Sequence, residues 1–109
     1  MDNINLDNLA RDLHSTAVEK GFWDDNNGLI FYLKQIAMIH SEATEVLEAL
    51  RKNKGQDKVV EELADIMIRV LDLYAGMKKN GDVVDSLDQA MKDKAKVNTT
   101  RPRLHGVAG

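Results

Sequence analysis

From Asp57 to Lys79 the chain is apolar around nearly the whole circumference of a helix. Val59, Val60, Leu63, Ile66, Met67, Ile68, Val70, Leu71 and Leu73 leave only a narrow polar strip of Glu61, Glu62, Asp65, Arg69 and Asp72. A helix that is apolar on every side has to be covered on every side. A chain of 109 residues has little else to cover it with. The stretch therefore predicts helical neighbours within the chain and, beyond them, a second copy of it. The strip then faces either solvent or an internal polar site. Three of its acids, Glu62, Asp65 and Asp72, share it with Arg69 and suit a metal site better than a random surface.

Nothing in the rest of the chain competes with a helical fold. No segment alternates apolar and polar residues as a half-buried strand does. The only proline is Pro102, and Gly21, Gly28, Gly55 and Gly81 fall between the periodic segments. Four helices are predicted, at about residues 5–20, 29–52, 57–79 and 83–97, with an unpatterned tail from 99 to 109. Asn3 or Asn5 is expected to cap the first helix and Gly21 to end it. Leu33, Ile36, Ala43, Leu47 and Leu50 form the main apolar stripe of the second, widened by Met38, Ile39, Val46 and Ala49. Asp82 is expected to cap the fourth, whose apolar face is Val84, Leu87, Met91 and Ala95. The fold class is all-α, a four-helix bundle in a single domain spanning 1–109.

Two pairs of acids sit on adjacent predicted helices. Glu42 and Glu45 are three residues apart on the second, and Glu62 and Asp65 are three apart on the third. That spacing stacks each pair on one face. Four carboxylates gathered in an apolar site need a counter-charge, and a hard divalent cation is one that oxygen ligands suit. Two solvated faces fit the same spacing equally well. Glu42 lies inside the widened apolar arc of its helix, which a merely solvated acid would not.

Composition excludes several classes. The net charge of −3 and the lack of a basic tract speak against nucleic-acid and anionic-membrane binding. There is no cysteine, hence no disulfide, zinc-thiolate site or thiol nucleophile. The longest unbroken apolar run, Leu29–Leu33, is far too short to span a bilayer. No basic-then-apolar leader pattern opens the sequence, and a cytoplasmic location is expected.

Taken in order, the short motifs resemble the MazG-like branch of the all-α NTP pyrophosphohydrolases. The E-x-x-E and E-x-x-D pairs across a helical hairpin are the first. Gly21–Asp24, G-F-W-D, resembles the aromatic loop ahead of that family's first metal helix. His14 stands nine residues before Trp23, as in related dCTP-hydrolysing enzymes. Lys94–Gly106 resembles the closing K-x-x-x-N-x-x-R-P-x-x-H-G. The likeness spans roughly residues 9 to 106. Arg69 stands where some relatives carry an aromatic, and Asp72 where many carry asparagine.

The resemblance implies hydrolysis of a (deoxy)nucleoside triphosphate to the monophosphate and pyrophosphate, a reaction of nucleotide-pool house-cleaning. It implies that Glu42, Glu45, Glu62 and Asp65 hold Mg²⁺, or Mn²⁺ in its place, with Glu45 the candidate general base. Trp23 would stack on the base, His14 would contact base or sugar, and Asp72 would be a further substrate-binding residue. Lys94, Asn98 and Arg101 would grip the triphosphate. His105 is either a tail contact or a terminal residue without a role. A homodimer or homotetramer is implied. The same residues leave two alternatives: a non-enzymatic helical interaction or regulatory dimer, and phosphoribosyl-ATP pyrophosphohydrolase.

Overall fold

The computed structural model describes residues 4–103. These form α1 (Leu6–Glu19), α2 (Leu29–Arg51), α3 (Gln56–Lys79) and α4 (Leu87–Asn98), with no strand among the described residues. The architecture is all-α, as the periodicity predicts. α3 is the organising element: α1 and α2 both pack against it, and α4 packs against α1.

Local chemistry fixes the helix ends. Asn5 caps α1, its Oδ1 accepting from the N–H groups of Asp7 and Asn8 at 2.8 and 3.1 Å. The alternative cap, Asn3, lies outside the described residues, as do His105 and Gly106 of the tail motif. α1 and α3 close with the same backbone reversal. Phe22 N–H donates to the Ala17 carbonyl and Gly21 N–H to that of Val18, both at 3.0 Å. Asp82 and Gly81 do the same to Met77 and Lys78 at 2.9 and 3.0 Å. The reversal needs a left-handed residue, and Gly21 and Gly81 supply it at φ +86° and +82°.

Two expectations are corrected. α4 starts at Leu87, four residues later than its pattern suggests, and its cap is Ser86, whose hydroxyl accepts from Gln89 N–H at 3.1 Å. Asp82 does not cap it, because its carboxylate accepts from the Tyr32 hydroxyl instead. Val84 is 79% exposed and contributes nothing to an apolar face. The tail begins in exposed turns at Thr99 and Thr100, whose hydroxyls donate to the carbonyls of Lys96 and Val97.

The second correction concerns α2, which carries two seams. The buried or half-buried one runs through Gln35, Ile39, Glu42, Val46 and Ala49. The expected main stripe of Leu33, Ile36, Ala43, Leu47 and Leu50 is exposed instead, with Leu33, Leu47 and Leu50 between 55% and 61% exposed. On α3, Val60, Leu63, Met67 and Ile68 are exposed as well. Burial in the single chain concentrates at the other end. Trp23, Phe31 and Tyr32 form the core there, with Ala17, Leu73 and Met77 packed on it. Gly76 makes room for this cluster, since a Cβ at that position would overlap the Trp23 indole.

Candidate active site

Two polar clusters lie on α3. The first joins α3 to α2. Glu42 enters it from the inward seam of α2, and Glu62 and Asp65 from one face of α3. Each can offer a carboxylate oxygen, and the three oxygens lie within 4.8 Å of one another. Glu62 is buried and the other two are half-buried. Three like charges so close repel one another unless a cation intervenes. Two side chains supply positive charge. Arg69 Nε donates to Glu42 Oε1 at 2.9 Å, across from α3 to α2. Lys58 Nζ pairs with Glu62 Oε1 at 3.0 Å and reaches Glu61 at 3.5 Å. The bond to Glu62 and the charge of Glu61 push the Lys58 ammonium above its ordinary value.

Glu45 is exposed and is not part of this group. Lys58 had no place in the sequence reading, although its i,i+4 spacing to Glu62 is a visible signal. The donor set is all oxygen, partly desolvated and convergent from two helices. That is what a hard divalent ion takes, so the residues present fit one.

The second cluster joins α3 to α1 and to the loop after it. Asp72 accepts from Trp23 Nε1 at 3.0 and 3.1 Å, one distance to each oxygen. A carboxylate can only accept, so His14 donates from Nδ1 to Asp72 Oδ1 at 2.8 Å. The imidazole meets the indole edge-on, with centroids 4.6 Å apart, and Phe31 tilts against the indole at 4.7 Å. His14 and Trp23 are buried. The structure thus brings together three of the residues implied for substrate binding, as a trio with both donors and their acceptor matched. His14 also borders a cleft of about 470 Å³ between α1 and α3, whose other walls include Arg11, Tyr74 and Lys78.

Lys94 and Asn98 are exposed on α4, and Arg101 is exposed just beyond it. Among the described residues none of them is hydrogen-bonded through its side chain or ion-paired to the acids.

The sequence model of the MazG nucleotide pyrophosphohydrolase domain matches residues 32–104, two thirds of the chain, and takes in both acid pairs and Asp72. No curated protein and no solved structure matches.

Proposed function

Since this chain belongs to the MazG nucleotide pyrophosphohydrolase family, whose enzymes generally depend on divalent metal, we propose that it hydrolyses nucleoside or deoxynucleoside triphosphates to the monophosphate and pyrophosphate. The observation that carries the reading is the convergence of Glu42, Glu62 and Asp65 from two helices to within 4.8 Å. These residues would hold Mg²⁺ or Mn²⁺, with Glu45 as a fourth ligand one turn along α2. A bound divalent ion supplies charge to the phosphate oxygens and acidifies a coordinated water.

The chain's own groups do the rest. Glu62, buried on α3, holds its carboxylate in a fixed place with little water to compete. Glu45 is exposed, where a water can reach it, and takes the proton of the attacking water as general base. Lys94 and Arg101 carry exposed positive charge that neutralises the β and γ phosphates, and Asn98 an exposed amide that donates to them; the two phosphates leave together as pyrophosphate. His14, Asp72 and Trp23 shape the wall that the base meets.

Assembly is part of the proposal. The outward seams of α2 and α3 expose Leu33, Leu47, Leu50, Val60, Leu63 and Met67. A second copy laid on these seams would cover them and form a homodimer or homotetramer. Sedimentation at micromolar concentration tests this, and a monomer alone would remove it. Among the described residues no helix is long and apolar enough to cross a membrane.

Hydrolysis of a nucleotide panel in ¹⁸O-labelled water tests the reaction. Label in the monophosphate supports attack at the α-phosphorus. Label in orthophosphate, with nucleoside diphosphate accumulating, refutes it. Absence of turnover on every nucleotide would return the chain to the class of helical interaction modules.

A further inference from the structure

We propose that Arg69 is the resident counter-ion of the acid triad: it holds Glu42 when no metal is bound, and a metal ion has to displace it. The inference rests on the metal-centre reading above. It starts from an imbalance. Glu42, Glu62 and Asp65 can each bring a carboxylate oxygen to within 4.8 Å of the others. Carboxylates at that separation, partly out of water, push each other apart. Yet α2 and α3 stay packed around them.

The two cations beside the triad are not equivalent. Lys58 lies one turn from Glu62 on α3 itself, and it divides between Glu61 and Glu62. It lowers the charge of α3 but ties nothing to α2. Arg69 is also on α3, and its Nε reaches Glu42 on α2 at 2.9 Å. Among the described residues it is the one ion pair that joins the two helices. The Glu42 side chain is 17% exposed and that of Arg69 is 35% exposed, so water screens the pair only in part. A guanidinium does not lose its proton in a protein. Its charge therefore opposes an arriving cation at any working pH.

Two consequences follow. Arg69 supplies positive charge that helps to hold Glu42 beside the acids of α3. The same residue weakens metal binding, because one ligand carboxylate must first be released. Arg69 is a positioning residue, acting on the metal through Glu42.

The experiment is titration with Mn²⁺, with free ion followed by its paramagnetic resonance, on the full chain and on R69Q and R69K. Melting without metal is recorded alongside. R69Q is expected to bind Mn²⁺ on the order of ten-fold more tightly and to melt lower than the native chain when metal-free. R69K keeps the charge and is expected to stay within about two-fold of native affinity. If R69Q does not fold alone, Mn²⁺ is expected to restore its fold, since the ion replaces the missing charge. R69Q with native or weaker affinity overturns the proposal, as does R69K gaining as much as R69Q. An R69Q chain left unfolded by Mn²⁺ overturns it too. The metal-centre reading fails separately, if neither the native chain nor R69Q binds Mn²⁺ at all.

Discussion

On one side of α3, Asp72 accepts from Trp23 and His14 inside an aromatic shell. Two turns earlier on the same helix, Glu62 and Asp65 face Glu42 with only Lys58 and Arg69 to balance them. The first cluster has one acceptor and two donors, all matched within the chain. The second has three acids beside two cations, one of which, Lys58, is shared with Glu61, so negative charge is left over. A matched polar cluster adds to folding, because each buried group keeps a partner. An unbalanced one opposes folding and favours a ligand that completes it. The difference separates a part of the molecule that holds shape from a part poised to bind. It also predicts that mutations in the two will act on different observables.

The largest effect is expected at the triad, and on activity. Asp65→Asn and Glu62→Gln each remove a ligand charge, and turnover should fall about a thousand-fold, roughly 4 kcal/mol of transition-state stabilisation. Metal-free stability should hold or rise, since a like charge has gone. Steady-state kinetics with pyrophosphate detection, beside a thermal melt, reads both. Variants that melt lower while keeping turnover would make this cluster structural and erase the contrast.

How far the sequence could carry this contrast depends on the range of the interaction. Asn5, Gly21 and Gly81 mark helix ends because a cap is a contact among neighbours in sequence, and α1 to α3 fall within a residue or two of expectation. The start of α4 failed for the opposite reason. Asp82 looks like a cap until Tyr32, fifty residues away, takes its carboxylate. On α2 the seam of 33, 36, 43, 47 and 50 and that of 35, 39, 42, 46 and 49 both have helical period. Periodicity shows that two faces are dressed for burial, but not which one α3 covers. The acid pairs were legible as pairs. That Arg69 would close on Glu42 was not, since no local rule links residues 27 apart. His14 and Trp23 are singled out only by resemblance, Asp72 also by its place on the polar strip, and their mutual hydrogen bonds belong to the tertiary fold.

A middle-sized effect, on stability, is expected in the matched cluster. Gly76→Ala would push a methyl group into the Trp23 indole, and such overpacking costs about 1–3 kcal/mol. Asp72→Ala would leave the Trp23 and His14 donors without their acceptor, at about 1–3 kcal/mol for an unpaired buried group. Urea unfolding followed by the fluorescence of Trp23, the one tryptophan, measures both. Mn²⁺ affinity should stay near native in the folded fraction. If Gly76→Ala unfolds at the native urea concentration, the close packing of Trp23 on α3 is wrong. If Asp72→Ala abolishes Mn²⁺ binding while folded, the two clusters are one site.

The smallest effect is expected with pH, at the clasp that pins α1 and so supports the trio from outside. Asp88 of α4 accepts from Leu6 N–H at 3.0 Å, and Asp7 of α1 accepts from Asp88 N–H at 3.0 Å and from the Ser86 hydroxyl. Each helix thus satisfies an open donor at the start of the other. Both carboxyls lie below their ordinary value. For Asp88 the Leu6 N–H and then the Lys92 ammonium favour the charged form. For Asp7 burial works the other way, and the bonds from Ser86 and Asp88 outweigh it. A carboxyl depressed by folding contributes stability in full above its unfolded value of 3.8, and loses it as pH falls toward the folded one. Acid should therefore loosen α1 from α4. Asp88→Asn keeps an acceptor for Leu6 but no charge, so its melting temperature should drop less between pH 7 and pH 3 than that of the native chain. The two curves should converge at the acid end. Curves that stay parallel over that range would show that the clasp carries no charge-dependent stability, and that the trio is held by its own bonds alone.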